Sequence, residues 1–146
     1  NAGVGFGVPD GSREVSADGI ELRFAVNHLA AYRLAGRLAK LLEVSAPSRI
    51  VQVASAGQLA LDPDDPLTEH GWDGVTAYRR AKLAQVMATY DLAADLVGTG
   101  VTVNALHPAT FMDTAMAPTF WTARNTVANS GMLGRNSTTR SPWPTP

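Results

Sequence analysis

The chain has 146 residues and no cysteine, which excludes a disulfide-stapled scaffold, a thiolate nucleophile and any sulfur-ligated zinc or iron–sulfur site. Its 12 basic and 13 acidic side chains leave a net charge of −1 and a pI of about 6.3, so it carries no nucleic-acid footprint. A hydrophobic share of 45% suits one packed globular domain, and no apolar run approaches the ~20 residues of a membrane span. The absence of cysteine suits a reducing compartment, and with no secretory leader the expected location is the cytoplasm.

Residues 1–17 are rich in Gly, Pro, Ser and Asp and read as a connecting loop. A helical pattern runs from about Asp18 to Glu43, with Ile20, Phe24, Leu29, Leu34, Leu38 and Leu42 at spacings of three to five and alanine between them. Ser45-Ala46-Pro47-Ser48 breaks it. Arg49 to Ala54 is a short β-branched run that reads as a strand, followed by Ser55-Ala56-Gly57 and a loop over about 57–74. A second helix is predicted from Val75 to Val97, stopped by Gly98-Thr99-Gly100. Val101 to Leu106 is a second apolar strand, ending at His107-Pro108.

The charge divides the chain. Residues 1–116 hold all 13 acids and net −4, whereas residues 117–146 hold three arginines, no acid and many Thr, Ser, Asn and Pro. That second segment reads as an irregular or disordered tail. Two apolar strands separated by a helix predict an α/β fold with a parallel βαβ unit and a right-handed crossover. Two strands make a poor domain alone, so the expectation is the second part of a larger doubly wound sheet.

Tyr78 and Lys82 are four residues apart and share one face of the second helix. A phenol titrates near ~10, and a neighbouring cation makes it a usable proton donor or acceptor. Taken alone, the pair also fits a partly buried tyrosine beside a surface lysine. Ser55 lies just past a buried strand, where parallel α/β sheets place ligands; a serine there also serves as a turn residue. Asn27 sits mid-helix, where asparagine is a poor helix former and needs a partner or solvent. His107-Pro108-Ala109-Thr110 ends the last strand on the same expected edge as Ser55. No Cys/His/Asp/Glu spacing suggests a metal site.

Together and in order, Asn1-Ala2-Gly3, Val26-Asn27-His28, Arg49 to Ser55, Tyr78-x-x-x-Lys82 and Val101 to Pro108 resemble the short-chain dehydrogenase/reductase family, and its retinol-dehydrogenase-like branch in particular. The resemblance covers residues 1–116 and implies a partial Rossmann-like dehydrogenase domain there. It implies NAD or NADP as cofactor and a small-molecule alcohol or carbonyl as substrate. By resemblance, Tyr78 is the acid–base residue, Lys82 holds the nicotinamide ribose and supports Tyr78, Ser55 binds the substrate oxygen, and Asn27 serves a water relay toward Lys82. Asn1 and Gly3 would line the cofactor, with Pro108 and Ala109 flanking the nicotinamide. The family's two long helices often form oligomer interfaces, which implies a homo-oligomer through 18–43 and 75–97.

The family's Gly-rich phosphate loop does not occur in these residues, and Gly3-Val4-Gly5-Phe6-Gly7, lacking a preceding strand, reads as loop material. Ala109 replaces the usual glycine, and Thr114 falls about one residue late. The resemblance stops near Met116, so the tail is expected to be foreign to the fold and the chain a fragment inactive alone. Two alternatives remain open. One is a non-catalytic remnant. The other is a serine hydrolase built on Ser55, with Asp91 or Asp95 and His107 following in order, although the elbow's first glycine is missing and both aspartates lie within a helix.

Overall fold

The computed structural model describes residues 2–7 and 11–108. The expected boundary at 116–117, the tail 117–146, Asn1, Ala109 and Thr114 lie outside the described residues. A π-helical segment, Phe24–Leu29, runs directly into α1, Ala30–Val44. Then follow β1 (Ser48–Val53), α2 (Gly74–Asp95) and β2 (Val101–Leu106). The strands pair in parallel, in a register that sets Ser48 against Val101 and Val53 against Leu106. This is the expected α/β arrangement, with α2 as the crossover.

The apolar core gathers Ala35, Ala39 and Leu42 of α1, Leu92, Ala93 and Leu96 at the end of α2, Ile50 of β1, and Val101 and Val103 of β2. On α1 the inward stripe is therefore 35, 39 and 42, at helical spacing. Leu34, Leu38 and Leu41, on the adjacent stripe, are exposed, so two leucines of the sequence pattern do not belong to the core.

The first helix begins later than its periodicity predicts. Gly19 adopts a φ of +77°, Ser16 Oγ accepts the Asp18 and Ile20 N–H groups, and Val15 forms an antiparallel bridge with Glu21. The Glu21 carboxylate then accepts the Phe24 N–H at 2.8 Å, occupying a donor that the new helix leaves open. A local turn with its own hydrogen bonds has displaced the first helical turn. At the other end α2 stops at Asp95, two residues early, because the Thr99 hydroxyl donates to the Leu96 carbonyl at 2.7 Å and Gly98 turns at φ +80°.

A buried charged knot ties the chain's first residues to this frame. The Arg23 and Glu21 residues are each 1% exposed. Arg23 donates to Glu21 at 3.2 Å, to Glu14 at 2.7 Å and, through Nε, to the Gly5 carbonyl at 3.1 Å. Its guanidinium lies 5.2 Å from the Trp72 ring centroid, and Trp72 Nε1 also donates to Glu21. Gly7 is required beside it: its φ is +83°, and an added Cβ would strike the guanidinium. Removing Arg23 strands a buried carboxylate, a loss of about 3 kcal/mol or more. Arg23→Met is expected to lower the chemical-denaturation midpoint accordingly, and a loss under about 1 kcal/mol would contradict this reading of the knot.

Candidate active site

The site is built on α2. Its N-cap Asp73 is extended, and one carboxylate oxygen accepts the Val75 and Thr76 N–H groups at 3.0 and 2.9 Å. Burial pushes the Asp73 carboxyl up, but the Thr76 side chain, the two backbone donors and the Arg80 charge outweigh it and hold it below the ordinary value. From this start the helix buries a face of two interleaved stripes. Ala77, Ala81, Ala84 and Ala88 keep one close-packed, while Tyr78, Lys82, Gln85 and Thr89 carry the polar atoms inward.

Tyr78 is 8% exposed and Lys82 9%, so the alternative of a surface lysine does not hold. Lys82 Nζ donates to the Val53 carbonyl at 2.9 Å and to Gln85 Oε1 at 3.0 Å. It lies 5.9 Å from the centroid of the Tyr78 ring. Burial pushes its ammonium below the usual lysine range. The Tyr78 ring meets the Phe6 ring edge-on, with centroids 4.7 Å apart. An added Cβ at Gly74 would fall on the Phe6 carbonyl, so the helix start and residues 2–7 pack backbone to backbone.

Asn27 is 2% exposed and is the buried residue of the π-helical segment. Its Oδ1 accepts the Val4 N–H and its Nδ2 donates to the Val4 carbonyl, both at 2.9 Å. A polar mid-helix residue thus supplies the strand-like hydrogen bonds of an otherwise isolated segment. Asn27 makes no direct bond to Lys82; the path between them runs through residues 4–6 to Tyr78. Neighbouring His28 is half-buried, and desolvation pushes its imidazole below the usual range.

Ser55 follows β1 by two residues, which brings it to the strand end whose Val53 carbonyl holds Lys82. Its Oγ accepts the Gly57 N–H at 3.1 Å, and its carbonyl accepts the Gln58 side chain. His107 Nδ1 accepts the Ala56 N–H at 3.2 Å, and Asp91 and Asp95 are exposed on α2. These hydrogen bonds commit His107 to the main chain and give the hydrolase alternative no Ser–His contact. Gly3 and Pro108 are exposed. Among the described residues there is no cluster able to hold a metal ion.

Four participants had not been singled out in the sequence: Phe6, Arg23, Gln52 and Gln85. Gln85 had a signal, since it follows Lys82 by three and Tyr78 by seven on one helical face. Phe6 and Arg23 had none, because their pairing crosses an irregular loop.

Tyr78 and Lys82 thus share the buried face of α2 in an α/β arrangement, with Lys82 bonded to the end of a parallel strand. The family described as short chain dehydrogenase matches residues 1–125, and the chain belongs to it. Human retinol dehydrogenase 13 is 38% identical over 122 residues, which cover 71% of this chain and 37% of that protein. Retinol dehydrogenase 14 of Mus musculus is 44% identical over 112 residues, covering 74% and 32% respectively. The chain therefore spans about a third of the length of the curated relatives it matches. In fold it resembles a putative uncharacterized protein from Mycobacterium Paratuberculosis, with a TM-score of 0.62 and 24% identity over 92% of this chain and 49% of that one. That likeness supports the Rossmann-like architecture.

The cap beneath the site has a measurable pH signature. Because the Asp73 carboxyl is held below its ordinary value of 3.8, its contribution is present above that value and lost as pH falls through the lower native one. Asp73→Ala is expected to cost about 1 kcal/mol at neutral pH, from thermal melts, with the difference from the parent shrinking below pH ~4. A difference that stays constant into acid would contradict the capping role.

Proposed function

We propose that this chain carries the proton-transfer half of an NAD(P)-dependent oxidoreductase acting on an alcohol or carbonyl. The observation that carries the reading is the seating of Tyr78 and Lys82 together on the buried face of α2, with Lys82 bonded to β1. Family membership and relatives described as retinol dehydrogenases support a hydrophobic primary alcohol, or its aldehyde, as the substrate class.

In oxidation, the Tyr78 oxygen takes the proton from the substrate hydroxyl as the carbon loses its hydride; in reduction it returns that proton. Lys82 supplies fixed positive charge beneath Tyr78, and Ser55 Oγ donates to the substrate oxygen. The bound nicotinamide supplies the hydride acceptor. The residues present fit that end of the cofactor. Lys82 keeps one N–H beyond its two internal bonds, and Gly3 and Pro108 are open to a ligand. Asn1 and Ala109 belong to the same proposed cofactor contacts. A Gly-rich turn for the phosphates is not among these 146 residues, so turnover is expected only when that segment is supplied. Exposed Leu34, Leu38 and Leu41 on α1, with Met87 and Tyr90 on α2, support a homo-oligomer through the long helices.

In the complete enzyme, Tyr78→Phe is expected to reduce nicotinamide-coupled turnover at least about a hundredfold while leaving cofactor affinity within about twofold. Turnover retained by that variant would refute the assignment.

A further inference from the structure

Lys82 is one of two lysines in the chain, and it is held in place by more than the strand. Gln85 Oε1 accepts from its ammonium at 3.0 Å, and Gln85 Nε2 donates in turn to Gln52 Oε1 at 3.0 Å. Gln52 lies on β1, one residue before the Val53 carbonyl that takes another Lys82 proton. The Gln85 backbone carbonyl accepts the Thr89 hydroxyl. Gln52 and Gln85 are each 7% exposed, so water is no ready substitute for either partner.

This ladder has a direction. An amide offers one carbonyl oxygen and one NH2 group, and Gln85 can give its NH2 to Gln52 only while its oxygen faces the ammonium. Gln52 thereby sets the orientation of Gln85, and Gln85 sets that of Lys82. With two of three N–H bonds fixed from β1 and from Gln85, one N–H remains for a ligand.

We propose that Gln85, oriented by Gln52, is a positioning residue that keeps the Lys82 ammonium charged and aimed at the site. Of the two acceptors on the Lys82 ammonium, one is the main-chain carbonyl of Val53 and the other is the Gln85 side chain. Tyr78 of its own helix presents its ring and Val53 of β1 its main-chain carbonyl, and among the described residues no carboxylate pairs with Nζ. Burial works against the charged form, so an acceptor is what sustains it. A side chain present only to fill space would leave the charge of the amine unchanged when replaced by another of its size.

This inference rests on the proposed role of Lys82, but its test needs no turnover. Competitive acetylation of the full 146-residue chain at mildly alkaline pH reads the free-amine fraction of Lys82. Lys40, whose side chain is 85% exposed, serves as the internal reference in the same molecule. Gln85→Leu is expected to raise the Lys82/Lys40 labelling ratio at least about threefold, since the charged form loses one of its two buried acceptors. Gln85→Glu is expected to lower the ratio, since a carboxylate favours the ammonium. Gln52→Leu is expected to shift it in the direction of Gln85→Leu, by less.

Opposite signs for the leucine and glutamate variants are the signature. Loosening or unfolding of the chain would raise labelling in both. A ratio that rises in both Gln85 variants, or that changes in neither, overturns the proposal. Failure here leaves the oxidoreductase reading standing, whereas turnover retained by Tyr78→Phe would remove that reading and leave the labelling pattern intact.

Discussion

One buried guanidinium holds the first residues of the chain in place. Arg23 is enclosed by Glu21, Glu14 and the Trp72 ring, and from that enclosure it donates to the Gly5 carbonyl. Taking an arginine out of water is costly, and only a full set of partners makes it tolerable. Here the set draws on three stretches: the segment before the helix, the helix entry and the loop before α2. The consequence is geometric. With Gly5 fixed by Arg23 and Val4 fixed by Asn27, Phe6 has little choice but to meet Tyr78.

The lysine side of the site depends on the sheet. Lys82 reaches from α2 to the end of β1, and the Gln85–Gln52 pair runs parallel to that reach. α2 is therefore bonded to its neighbours on both sides of its polar stripe, by aromatic contact to residues 2–7 and by hydrogen bonds to β1. Small alanines between the polar residues let it sit close enough for both. The apolar core lies toward the far end, where Leu92 and Leu96 meet Ala35 and the strands. Packing at one end of the helix leaves the other free to hold polar atoms.

The elements most legible in the sequence were those whose signals are local. β2 falls on the predicted residues, and β1 and α2 differ only at their ends, where Thr99 and Ser48 make side-chain bonds that no periodicity reports. The Tyr78–Lys82 pair was legible because four-residue spacing on a helix is a local fact. Asn27 was legible as an oddity, a mid-helix amide needing a partner, though its partner Val4 could not be named across 23 residues. The charged knot was not legible at all. Glu21 and Arg23 stand two apart, off any shared helical face, and Trp72, which contacts both, lies 51 residues from Glu21. The Gly3 to Gly7 stretch read as loose loop for the same reason, since what makes it a built element comes from elsewhere in the chain.

The site is preformed, with residues 2–7 held against α2 by Asn27 and the aromatic contact. Nuclear magnetic resonance on the free chain reads this directly, through Asn27 side-chain amide exchange and cross-peaks between the Phe6 and Tyr78 rings. The expected result is Nδ2 protons protected at least about a hundredfold over a free amide, together with clear ring-to-ring cross-peaks. An Asn27 amide exchanging at the free rate, with no contact between the rings, would contradict it.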